Sequence, residues 1–166
     1  MNAIQKKDNG ECCPEFSIEK WDEKTFDWNK KPFIKSSVPA IFHVPFFKKL
    51  GKKITQMMQK AEDAHSISEN KEDILLLFND PHPFRSDMYL SVDDEVAKAR
   101  NVHLSGEFMT KVFDGHPKDM PKYIKKMNIY LESQHKKAKD YYVHYAYCPK
   151  CAKSKGHNYM VLFAEV

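Results

Sequence analysis

The last 26 residues, YYVHYAYCPKCAKSKGHNYMVLFAEV (141–166), constrain the fold more than any other stretch. Two runs of aromatic and aliphatic side chains, 141–147 and 159–166, flank a turn-rich insert carrying Cys148, Pro149, Cys151 and Gly156. That is the pattern of a β-hairpin with a decorated tip. Upstream, Met120, Tyr123, Ile124, Met127 and Leu131 recur at helical spacing, and 102–113 reads as a long strand with a bend at Gly106. The order is strand, helix, strand, strand.

The same order occurs once before. Residues 33–44 read as a strand; Phe47, Leu50, Ile54, Met57, Met58 and Ala61 mark a helix; 74–78 and 87–92 read as two further strands. Pro45 and Pro117 stand between strand and helix, and Pro81 and Pro149 stand after the strand that follows. The spacing predicts a duplicated unit. The expected fold is α+β: one antiparallel sheet from two pseudo-symmetric strand-helix-strand-strand units, about 33–95 and 100–166, with both helices on one face. Residues 1–32 are expected as an arm, irregular over 12–31, packed through Phe16, Trp21, Phe26 and Trp28. The sheet's second face is left to that arm or to a ligand.

Composition narrows the function. Net charge is +4, from 27 basic and 23 acidic side chains interspersed along the chain. No concentrated footprint for nucleic acid results. No apolar run reaches the roughly 20 residues of a spanning helix, and MNAIQKKDNGE has no apolar core for a secretion signal. A cytoplasmic protein without membrane or nucleic-acid partners is expected, its four cysteines reduced or metal-bound. A Gly-rich phosphate loop, a G-x-S-x-G elbow and an H-E-x-x-H helix are absent from the sequence.

Leu77-Phe78-Asn79-Asp80-Pro81, Arg85, 87–92, Leu104-Ser105-Gly106-Glu107-Phe108 and Phe113-Asp114-Gly115-His116-Pro117 together resemble gyrase-inhibitor-like (GyrI-like) small-molecule-binding domains. Cys12-Cys13-Pro14, Trp21-Asp22, 31–35, His43-Val44-Pro45 and 148–153 through Gly156 and Asn158-Tyr159 are similar to small bacterial proteins labelled hydrolases. The resemblance implies two such units forming a groove for apolar or cationic small molecules, with hydrolytic activity in some relatives. Many relatives carry an acidic residue in the strand before the second proline. Here Tyr142-Val143-His144-Tyr145 has none.

Glu107 is the carboxylate expected to do chemistry, as a general base desolvated in the groove. It lies opposite Leu104 and Phe108, in the company of His103, Ser105, Met109 and Lys111. His144 or Tyr145 is the expected acid, and they point to opposite faces. Trp28, His43, Phe84, Tyr89 and Met109 are expected to line the groove. Each has an ordinary alternative as a solvated or packing residue. Cys148-x-x-Cys151 has the spacing of half a zinc knuckle, completed by Cys12, Cys13 or His157, or else the cysteines form pairs of redox-labile thiols. A thioredoxin-like role is disfavoured, because 152–156 reads as a loop rather than the start of a helix. Three functions stay open: binding of a small hydrophobic molecule, hydrolysis of a small hydrophobic or electrophilic compound, or a zinc-stabilised interaction domain without catalysis. Oligomeric state is not legible.

Overall fold

A computed structural model describes residues 13–42, 44–45 and 47–166. Cys12, His43 and the first eleven residues of the expected arm lie outside the described residues. In chain order the elements are α1 (Ile18–Trp21), β1 (Thr25–Ile41), β2 (Val44–Pro45), α2 (Phe47–Asp63), β3 (Leu76–His82), β4 (Arg85–Ser91) and β5 (Arg100–Asp114). They continue with α3 (Met120–Ser133), β6 (Asp140–Tyr145), α4 (Pro149–Lys155) and β7 (Tyr159–Glu165).

Both halves use the same pairing. β1 pairs with β4 and β4 with β3; β5 pairs with β7 and β7 with β6; every pair is antiparallel. The halves join twice, β3 against β6 and β1 against β5. The second seam closes the sheet into a six-stranded barrel, with β2 added outside on β1.

Closure corrects the expected layer. Both helices do lie on one side of the sheet, but that side is the outside of a barrel. α2 lays Met57 and Ala61 over Ile34, Val38, Met88 and Leu90. α3 lays Tyr123, Met127 and Leu131 over Met109, Phe113, Met160, Leu162 and Ala164. The other face is the interior, filled by Phe33, Leu77, Tyr89, Phe108, Tyr142, Val161 and Phe163. Alternation along each strand sends one set of side chains to the helices and the other inward. Each buried aromatic here contributes about 1.5–3 kcal/mol of burial free energy.

The expected irregular stretch 12–31 becomes strand over its last seven residues. β1 starts at Thr25 and pairs with β5 from Thr25↔Met109 onwards. Between Trp28↔Gly106 and Lys31↔Leu104 β1 advances three residues and β5 two, which is a bulge. Lys30 takes up the extra residue at φ 51, and its N–H donates to Ser105 Oγ at 2.8 Å. The bulge resets parity, so Phe26, Trp28 and Phe33 all reach the interior cluster. Without it, even-numbered Trp28 and odd-numbered Phe33 would face opposite ways.

The interior-facing polar groups are paired. Buried Asp87 accepts from Ser37 Oγ at 2.6 Å and lies 3.2 Å from Lys35 Nζ and 3.1 Å from Arg85 Nε. Buried Thr110 donates its hydroxyl to the Trp21 carbonyl.

The second correction is α4. Residues 152–156, expected as a loop, continue a helix that Cys148 precedes as N-cap and Pro149 opens. Gly156 ends it in the left-handed region at φ 69. A Cβ there would meet nothing within 4 Å, so Gly156→Ala is expected to cost only the backbone strain, roughly 1 kcal/mol. Urea melts of the two proteins check it. Among the described residues no helix is long and apolar enough to cross a membrane.

Candidate cavity and cysteine cluster

A cavity of about 380 Å³ opens where the 13–21 segment passes over the β3–β6 seam. Its walls come from that segment, from Met58 and Glu62 of α2, from the 67–74 connection, and from Leu76, His144 and Ala146. Phe16, Trp21, Ile74 and Leu76 make the lining partly apolar, while Glu15, Glu62, Glu69 and Glu72 outnumber Lys20 and Lys71.

His144 is the titratable side chain set deepest here. It shares the inward parity of Tyr142, two residues before it on β6. Its Nδ1 lies 3.3 Å from the Leu76 backbone nitrogen and 3.2 Å from the Leu76 carbonyl oxygen, so the backbone of one residue orients the ring in either tautomer. The protein packed round the ring lowers its pKa to about 4, and the bond to the Leu76 carbonyl only partly offsets this. At neutral pH it is a neutral imidazole.

Among the described residues, His144 and Cys13 are the expected site residues that line the cavity. Glu107, expected desolvated in a groove, is 39% exposed and ion-paired with Lys136 Nζ at 2.8 Å. Tyr145 faces the α3 side and meets Phe78 edge-on at 5.5 Å; burial raises its pKa. Trp28 packs on Phe33, Phe108 and Phe163 at the interior, and Tyr89 is interior core. Met109 lies beneath α3. Phe84 is 54% exposed, against Phe42 and His82. The barrel interior is packed, which leaves the expected groove on that face without room; the cavity sits at its rim instead. The sequence signal for the rim was the aromatic load of Phe16 and Trp21.

Beside the cavity three thiols converge. The sulfurs of Cys13, Cys148 and Cys151 lie within 4.8 Å of one another. The Cys148 N–H donates to Cys13 Sγ at 3.3 Å, and Cys151 is buried in the first turn of α4. Burial raises the Cys13 pKa, and the adjacent thiols of Cys151 and Cys148 raise it further against the Cys148 N–H. Deprotonation thus calls for a cation among the sulfurs. The CxxC does open a helix after a strand, contrary to the loop expected. A third cysteine across from it makes a donor set that could hold a metal ion. Among the described residues His157 is not part of that set. Its Nδ1 lies 2.7 Å from Asp114 Oδ2 and its ring stacks on Tyr159.

The sequence model of a family described as bacterial hydrolase matches residues 3–166. No curated protein matches the chain. A hydrolase from Listeria innocua shares the fold at a TM-score of 0.60 and 9% identity, over 87% of this chain and 91% of its own. An uncharacterized conserved protein from Listeria innocua does so at 0.60 and 8%, over 86% and 91%. At such identities the likeness is one of fold.

Proposed function

Because this chain belongs to the bacterial hydrolase family, we propose that it binds a small hydrophobic molecule in the cavity at the β3–β6 seam and hydrolyses it there. The observation that carries this reading is His144: a neutral imidazole, oriented by the Leu76 peptide, on the wall of a partly apolar cavity. A neutral imidazole can take the proton of a water as its oxygen attacks an electrophilic centre, then return that proton to the leaving group. Its low basicity makes it a modest base and a ready acid. The excess of glutamates over lysines at the rim favours a substrate that is neutral or carries a cation. The duplicated pairing order supports a place for the domain among GyrI-like folds.

The test is a turnover screen of small hydrophobic esters and related electrophiles. For a compound that turns over, His144→Ala is expected to lower kcat/KM by about 10²-fold or more. Thermal stabilisation by the compound should survive the substitution. Glu107→Gln, outside the cavity, should leave the rate as it was. A rate unaffected by losing the imidazole sinks the reading.

The thiol cluster favours a second reading, compatible with the first: a structural zinc ion on Cys13, Cys148 and Cys151. Zn–S bonds of about 2.3 Å put tetrahedral sulfurs roughly 3.8 Å apart. The three thiols need close by no more than about 1 Å to reach that geometry. Metal analysis of the purified chain tests it, and a zinc-free protein with unchanged melting in chelator counts against it.

A further inference from the structure

We propose that the cysteine cluster is a metal clamp on the cavity: a thiophilic divalent ion, zinc by its donor set, pins residues 13–21 across the opening, so that access depends on metal occupancy. The inference rests on both readings above, the cavity and the metal.

The 13–21 segment is fixed unequally at its two ends. At the C-terminal end Trp21 is buried in the barrel interior and its carbonyl accepts from Thr110. Asp22 Oδ1 accepts the Val112 N–H at 2.9 Å, and the Lys24 carbonyl accepts the Thr110 N–H at 2.9 Å. None of these bonds involves a cysteine. At the N-terminal end the ties run to α4 and its flanks. The Phe16 N–H donates to Tyr147 Oη at a long 3.3 Å, Phe16 stacks on Tyr159, and Lys155 reaches Glu15, whose side chain is 81% exposed. A long hydrogen bond and a solvated ion pair hold weakly. The thiols meet at that end, with Cys13 on the segment and Cys148 and Cys151 on α4. An ion bonded to all three adds coordinate bonds at the end that carries these weaker ties. Between the two anchors lie Phe16, Ser17 and Lys20, which line the cavity.

Trypsin reads the clamp because Lys20, one position before the Trp21 anchor, is the one lysine or arginine of residues 13–21. The full chain is prepared with zinc, and its metal content and rate of cleavage after Lys20 are measured before and after chelation. 1-Anilinonaphthalene-8-sulfonate serves as the probe for exposed cavity wall. About one zinc per chain is expected, and its removal should speed cleavage after Lys20 by about tenfold or more through local opening, with a rise in probe fluorescence. Cleavage after Lys125 and Lys126 in α3 should hold steady, and readdition of zinc alone should restore protection. Cys151→Ser in zinc-containing buffer should behave as the chelated protein does. Should loss of that buried residue prevent folding, Cys13→Ser removes the ligand on the segment and leaves α4 intact.

A chain that binds zinc yet cleaves after Lys20 equally fast without it overturns the clamp and leaves the metal reading standing. A chain that binds no zinc removes both. Acceleration at Lys20 and α3 alike marks global unfolding and also overturns the clamp. The cavity reading fails separately, when no compound stabilises the zinc-loaded protein.

Discussion

Phe163→Ala is expected to destabilise the chain by about 3–5 kcal/mol, among the largest effects of any single truncation here. Phe163 is fully buried on β7, with Trp21 at 5.9 Å, Trp28 at 5.7 Å and Phe26 at 6.3 Å between ring centroids. Its ring is where the interior of the closed sheet meets the residues that approach from the N-terminal side. Removing it deletes the transfer free energy of the ring and leaves a void lined by rigid aromatics that cannot collapse into it. For a chain of this size the midpoint of thermal unfolding should fall by roughly 10 °C. Phe84→Ala is the control, because a half-exposed ring should change stability by no more than about 0.5 kcal/mol. Urea unfolding of the three proteins decides the matter. Equal midpoints would mean that the interior is not the principal core.

The second large effect is a pH dependence from His144. Unfolded, the imidazole takes up a proton near its ordinary value of 6.5; folded, it refuses one until about 4. Below 6.5 the unfolded state therefore binds more protons, and stability must fall as pH falls. Across that window the loss is on the order of 3 kcal/mol, present in full above pH 6.5 and gone near pH 4. His144→Gln, which keeps a polar side chain in place, should flatten the slope over this range. Burial alone would raise the Asp114 pKa, but hydrogen bonds from His157 and the Asn158 N–H outweigh it and hold the carboxyl below its usual range. Its stabilisation is lost only below the window where His144 acts. If denaturant midpoints of both proteins fall in parallel between pH 7 and 4.5, the histidine is not held neutral.

Periodicity made most of the secondary structure readable. The inward Tyr89 and outward Met88 and Leu90, the α2 and α3 stripes and the doubled order all follow from spacing in the sequence. Closure of the sheet did not, because it depends on eight residues before Phe33. DWNKKPF alternates poorly and sets three charged or amide side chains, Asn29, Lys30 and Lys31, between Trp28 and Phe33, since the bulge at Lys30 breaks the period of two. α4 was hidden for a different reason: KCAKSK is too polar to show an apolar stripe, and only Pro149 at its start and Gly156 at its end mark it. In the site, His144 and Tyr145 were legible as strand neighbours on opposite faces, and it is the structure that turns His144 inward. The wall facing it was not legible, because 13–21 has no period at all and is placed by tertiary contacts of Phe16 and Trp21. Glu107 stood out by its mid-strand position in β5, yet its side chain is partly solvated there and pairs with Lys136.

The two joins between the halves are unequal. One runs from Thr25↔Met109 to Lys35↔Arg100, while the other rests on Leu77↔His144 and Phe78↔Val143 alone. A cylinder zipped long on one side and short on the other has a built-in hinge and a built-in parting line. Amide protons of Leu77 and Val143 should exchange with solvent ahead of those of Phe33 and Phe108, and any molecule too large for the rim would enter by prising that short join apart.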